Sequence, residues 1–193
     1  DDGGIRPLSL TACVWRIGAS VLVQALQSWT TTWADDTIMG GLPGRGVLDA
    51  HCQLLEATSH DDGIFVSEDL AKFFDTVDIT QACAVLTHLG APSSFVTLIN
   101  NFYFTSPRIF LDRGNCSAKW HTATRGLMQG CPCSPLIAAA IMRIWAGYIK
   151  QDPQINAMAY IDDRTFWSFH TSHEVNPPVL TTLQAAKARS DHF

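Results

Sequence analysis

Tyr160-Ile161-Asp162-Asp163 sets two carboxylates side by side. They lie between an apolar approach, Ala157-Met158-Ala159-Tyr160-Ile161, and an aromatic, β-prone exit, Thr165-Phe166-Trp167 with Phe169. The pattern predicts a strand, a two-residue turn and a strand. Like charges at a hairpin repel unless a cation sits beside them, and hard divalent cations take carboxylate oxygens. A solvated Asp-rich turn is the plain alternative for a bare pair. Asp69 adds a third carboxylate, at the end of the strand-like run Ile64-Phe65-Val66-Ser67-Glu68. Three carboxylates brought together from two strand ends outline a two-metal site.

The elements that must position them are legible in outline. Residues 8–29 carry Leu10, Val14, Ile17, Val21 and Ala25 at helical spacing, which predicts an amphipathic helix. Gly40 to Gly46 reads as a loop, and no Gly-Lys-Ser/Thr follows to make it a nucleotide-binding loop. A second helix is expected from Val47, Leu48, His51, Leu54 and Leu55, with His51 as a hydrogen-bonded core histidine. His60 to Gly63 reads as a turn. Asp78 stands three residues before Gln81, a capping arrangement for a helix that reaches Leu89. Gly90 stops it, and Pro92 opens the next helix, to about Phe104. Residues 107–124 read as two short strands about Asp112-Arg113-Gly114-Asn115. A Gly- and Pro-punctuated loop, Arg125 to Cys133, precedes a helix capped by Ser134 with Pro135 in its first turn, running to about Gln151. Pro177-Pro178 break the chain before a last helix. An antiparallel sheet backed by helices is the α+β class.

Composition narrows the function classes. At 193 residues, 47% hydrophobic and 16% charged, the chain is globular. Its longest apolar run, Cys133 to Ile149, carries Arg143 in its middle, so no membrane span is expected. No signal peptide stands at Asp1-Asp2-Gly3-Gly4 and no initiator Met is present, which suggests a piece of a longer intracellular protein, nuclear or cytoplasmic. The six Cys are expected to be reduced and mostly buried. Cys131, Cys133, His170 and His173 lack the paired spacing of a structural zinc site. A net charge of −5 argues against a generic nucleic-acid binder. Residues 101–150, however, hold six basic side chains and one acidic. That island, with Arg108, Arg113, Lys119, Arg125, Arg143 and Lys150, is either a solvated face or a phosphate-backbone track.

Three stretches in order, Asp69-Leu-Ala-Lys-Phe-Phe-Asp75, Arg125-Gly-Leu-Met-Gln-Gly-Cys-Pro-Cys-Ser-Pro135 and Tyr160-Ile-Asp-Asp163, resemble the three palm motifs of reverse transcriptases. They look most like the type carried by non-long-terminal-repeat retrotransposons and group II introns. Arg6-Pro7-Leu8-Ser9-Leu10 resembles the family's first fingers motif, and Leu42-Pro43-Gly44-Arg45-Gly46-Val47-Leu48-Asp49-Ala50 its second. The resemblance runs from about residue 5 to about residue 170.

The resemblance implies an RNA-directed DNA polymerase of the right-hand, fingers-palm kind. Residues 1–60 would be partial fingers and 61–193 palm with interleaved fingers elements, incomplete at both ends and lacking a thumb. It implies two Mg²⁺ ions, with Mn²⁺ as a substitute, held by Asp69 and Asp162 and assisted by Asp163. It implies an RNA template, a DNA primer and deoxynucleoside triphosphates. Arg6 matches the position that meets the triphosphate, Gln129 the one that braces nucleotide and template, and Phe74 the steric gate against a ribose 2′-hydroxyl. Arg113, Lys119 and Arg125 would touch the nucleic-acid backbone. Three departures stand out. Ile161 replaces the usual Ala, Met or Val, which suits a strand and crowds a primer end. Phe73 stands where Ala is usual before the gate, and Cys133 where Leu is usual. The alternatives are a degenerate palm that only binds nucleic acid or protein, and an RNA-dependent RNA polymerase, which usually has Gly-Asp-Asp.

Overall fold

Residues Asp163–Phe169 form the centre strand (β5) of a three-stranded antiparallel sheet, between Gly63–Asp69 (β1) and Asn156–Tyr160 (β4). The computed structural model describes residues 8–60, 63–112, 114–123, 125–169 and 177–193. Period-two alternation gives the sheet two chemically different faces. One carries Phe65, Met158 and Trp167 and is covered by Ala50 and Ala57 of helix α3 (Val47–Thr58). The other carries Val66, Ala157 and Phe166 and faces the main core. The free edge of β4 is paired by the segment at Ile38. Ala159 donates to the Thr37 carbonyl at 2.7 Å, and Met39 donates to the Ala159 carbonyl at 2.9 Å.

The core is built on α7 (Cys133–Ile149), buried along most of its length. A helix apolar on all sides must be enclosed on all sides, and α5 (Ile79–His88), α8 (Pro177–Asp191), β4 and α1 (Cys13–Ala25) pack against it. Arg143 is tolerated in its middle because Nε donates to the Trp33 carbonyl at 2.8 Å and stands 3.9 Å from Asp35. Asp78 caps α5 as its sequence predicts, accepting from the Thr80 and Gln81 amides. Gly90, at φ +75°, ends it, and α6 (Ser93–Thr105) follows Pro92.

Several expectations are corrected. The first helical region is two helices, α1 and α2 (Gln27–Trp33). Its regular stripe of Val14, Ile17 and Val21 faces solvent, because Ala19 and Leu26 bury instead, with Trp15 and Leu22 packed beside them. Likewise Val47, Leu48 and Leu55 of α3 are exposed, and His51 with them, because the small Ala50 and Ala57 let that side approach the sheet. Ser134 lies inside α7 and caps nothing. Its hydroxyl donates to the Met128 carbonyl and bonds the Tyr103 hydroxyl, both at 2.8 Å. The last helix starts at Pro177 itself. All six thiols are free, but only Cys83, Cys131 and Cys133 are buried, while Cys13, Cys52 and Cys116 are exposed. The turn expected at Asp61 and Asp62 and the histidines His170 and His173 lie outside the described residues. The hairpin does form, as β2 (Leu111–Asp112) and β3 (Asn115–Cys116). Among the described residues no helix is long and apolar enough to cross a membrane.

Candidate active site

Asp69 and Asp163 are cross-strand partners at one end of the sheet, on one face. The hairpin that presents the second acid differs by one residue from the expected one. β4 ends at Tyr160, the turn is Ile161-Asp162, and Asp163 already belongs to β5. Ile161 therefore sits outside the strand, at φ +60°, a left-handed conformation that costs a β-branched residue free energy. The surroundings hold it there. A Cβ on Gly40 would fall 2.7 Å from the Ile161 backbone nitrogen, so the Gly40 loop lies directly on the turn. Asp162, at the turn's second position, is half-buried and lines a cleft of about 1090 Å³ together with Asp69.

The electrostatics are those of mutually repelling carboxylates. Partial burial first, then the carboxylates of Asp162 and Asp69, hold the Asp163 carboxyl above its usual range. Among the described residues no three His, Cys, Asp or Glu side chains stand as a ready-made metal cluster. The donor set nonetheless fits hard divalent cations: all oxygen, all anionic, on one sheet end, and mutually repulsive without a counter-charge. A raised carboxyl pKa means the charged form is disfavoured in the folded chain. Its stabilising share is full below the unfolded carboxylate pKa and is lost as pH rises through the folded one. Asp163→Asn is therefore expected to raise Tm at pH 7 without metal, by on the order of 1 °C. The gain should vanish below about pH 4. Thermal unfolding with chelator across that pH range measures it, and an unchanged Tm at pH 7 refutes the repulsion.

The opposite wall of the cleft begins where β1 ends. Lys72, at φ +56°, reverses the chain into a four-residue helix, α4 (Phe73–Thr76). That half-turn sends the two neighbouring aromatics different ways. Phe73 is buried at 7% exposure in the core, while Phe74 is half-buried, with the rings edge-on at 5.6 Å. The loop from Arg125 lies over α4: the Leu127 amide donates to the Phe74 carbonyl at 2.6 Å, and the Gly126 amide to that of Val77 at 2.8 Å. Gln129 thereby reaches the cleft, its amide nitrogen 3.5 Å from Asp75 Oδ1. Gly130 is required beside it, since at φ +108° an added Cβ would lie 2.8 Å from the Ser9 carbonyl oxygen.

Asp69, Asp162, Phe74 and Gln129 thus meet in one cleft. Lys119 is exposed on the hairpin segment and Arg125 exposed at the start of the loop, both outside the cleft wall. Arg6 and Arg113 lie outside the described residues. Two cations that sequence reasoning passed over line the cleft, Arg16 of α1 and Lys72. Lys72 sits inside the first acidic motif, where its spacing gave a signal. Arg16 had none, because α1 reaches the cleft only through tertiary packing.

A family model described as "Reverse transcriptase (RNA-dependent DNA polymerase)" matches residues 1–190. Among solved structures, apo telomerase from Candida tropicalis, truncated from its C-terminal domain, superposes with a TM-score of 0.64 at 8% identity over 90% of this chain. Telomerase from Candida tropicalis in complex with the TWJ fragment of telomeric RNA gives 0.62 at 8% identity over 91%. At that identity the likeness is one of fold, the fingers-palm arrangement with its antiparallel sheet. The chain spans 37% of the first structure's length and 30% of the second's.

Proposed function

The chain belongs to the reverse transcriptase (RNA-dependent DNA polymerase) family, and from that premise we propose that it is the fingers-palm part of a retroelement's RNA-directed DNA polymerase. Residues 1–60 are read as partial fingers and 61–193 as palm with interleaved fingers elements. The observation that carries this is the meeting of Asp69, Asp162, Phe74 and Gln129 in one cleft, with Asp163 paired beside Asp69. Asp69 and Asp162 would hold two Mg²⁺ ions, with Asp163, beside Asp69, assisting as a weaker ligand or by fixing the site. When bound, the ions supply Lewis-acid stabilisation of the attacking primer oxygen and the leaving pyrophosphate oxygen. Lys72 and Arg16 line the same cleft and suit the triphosphate, joined by Arg6 on the family pattern. Gln129 braces the nucleotide and template, and Phe74 closes the floor beneath the sugar.

The test is primer extension by a protein carrying this domain, with an RNA template, a DNA primer, Mg²⁺ and either deoxy- or ribonucleotides. Deoxynucleotide incorporation supports the reading. Incorporation of ribonucleotides alone makes it an RNA polymerase. Tight template binding with no incorporation makes it a binding module.

The basic island is the proposed track for the nucleic-acid backbone. Lys119 and Arg125 are exposed on a segment that also exposes Phe110 and Trp120, a combination suited to phosphates and bases together. Replacing Lys119 and Arg125 by Gln is expected to flatten the slope of log affinity against log salt by roughly 2 for a duplex. Binding titrations across ionic strength measure it. An unchanged slope returns both side chains to an ordinary solvated face. Arg113→Gln, added to these, is expected to flatten it further.

A further inference from the structure

Glu68 and Arg164 are cross-strand partners immediately behind Asp69 and Asp163, and by strand alternation they point to the other face of the sheet. Their side chains are 8% and 5% exposed, with Arg164 Nη2 3.1 Å from Glu68 Oε2. Helix α8 closes on the pair. Lys187 Nζ stands 3.0 Å from Glu68 Oε1, and the Ser190 hydroxyl donates to Glu68 Oε2. Ser190 in turn accepts from Trp145 Nε1 at 3.0 Å. The Arg164 guanidinium lies over the Trp145 ring, 5.5 Å from its centroid, and its Nε and Nη1 find no acceptor among the described residues. Lys187 also pairs with Asp191 one turn on.

This is a poor arrangement for stability alone. Desolvating a carboxylate and a guanidinium consumes most of what their attraction returns, and apolar side chains of similar volume usually serve as well. Two guanidinium nitrogens without acceptors make the balance worse. What the pair does supply is register. Sliding β1 by one residue against β5 would set Ser67 or Asp69 opposite Arg164 in place of Glu68; either slide breaks the Glu68–Arg164 pair and takes Asp69 away from Asp163.

We propose that the Glu68–Arg164 pair, latched to α8 by Lys187 and Ser190, is a positioning device that holds Asp69 beside Asp163 at the metal-facing end of the sheet. The inference rests on the polymerase reading for its purpose, and on the register alone for its geometry. Removing the pair should leave a folded chain whose acidic strand ends no longer stay together.

The discriminating variant is Glu68→Met with Arg164→Met, which replaces the charges by apolar side chains of similar size. Two quantities are read: amide hydrogen exchange, and Mn²⁺ affinity by electron paramagnetic resonance. Exchange is expected to rise at least tenfold at residues 66–69 and 163–166 while α7 stays protected, and Mn²⁺ binding to weaken at least tenfold. If the double variant fails to fold, Lys187→Ala carries the same two readouts with smaller expected changes, and Lys187→Arg should restore them. Unchanged exchange at the strand ends in a folded variant overturns the proposal, as does a uniform rise that includes α7. If the wild-type chain binds no Mn²⁺ while strand-end exchange still responds, the latch stands and the metal reading falls.

Discussion

Asp162→Asn is expected to lower Mg²⁺-dependent primer extension by on the order of 10³-fold or more, with the fold unchanged. Asn keeps the size of the side chain and one acceptor oxygen but removes the negative charge that a hard cation requires. Asp162 sits at the second position of a two-residue turn, half-buried at the cleft wall. The substitution therefore tests chemistry rather than folding. Tm should be equal to or slightly above that of the wild type, since one of the two charges that push up the Asp163 carboxyl is gone. Asp69→Asn should behave alike. The measurement is single-turnover extension with circular dichroism on the same samples. Extension retained within tenfold would remove Asp162 from the metal site, and lost ellipticity would show that the turn needs the acid.

Phe74→Ala and Phe73→Ala should separate cleanly, although the residues are neighbours in sequence. Phe74 is half-buried and lines the cleft, and on the proposed reading its ring limits the volume open to a nucleotide sugar. Clash in a close-packed site discriminates strongly, because neither partner can give way. Its removal is expected to raise ribonucleotide use relative to deoxyribonucleotide by roughly tenfold or more, with little change in Tm. Phe73, at 7% exposure within the main core, should leave sugar choice alone when truncated and cost about 3–5 kcal/mol of stability. Parallel measurements of the incorporation ratio and of denaturant unfolding decide between them. Sugar selection altered by Phe73→Ala instead would place the gate one residue earlier. If neither variant alters it, an RNA-making enzyme becomes the better reading.

The left-handed Lys72 between β1 and α4 is what makes these two predictions differ, and it shows where reading from sequence ends. The doublet Phe73-Phe74 says only that two rings are present. Which ring meets the core depends on a single backbone reversal, and a non-glycine residue at φ +56° is not something local propensity announces. Ile161 is a parallel case. Its β-branched side chain argues for a strand, and the tight packing of Gly40 against the turn overrides that preference.

From the sequence alone came the elements with strong local causes. Apolar and β-prone runs marked β1, β4 and β5; Asp78, Gly90 and Pro92 marked limits of α5 and α6; and Asp69, Asp162 and Asp163 marked the acidic end of the sheet. Tertiary structure alone decided which side of each helix is inside. Both α1 and α3 are apolar on more than one face, so a helical period fits Val14, Ile17 and Val21 as readily as Trp15, Ala19 and Leu22, and only the shape of the neighbouring surface selects. It selected small residues against the sheet at Ala50 and Ala57, and it left His51 in solvent. It also made Glu68 and Arg164 a buried pair, latched from α8. Coulomb attraction depends on distance in space, which the order of residues along the chain does not specify.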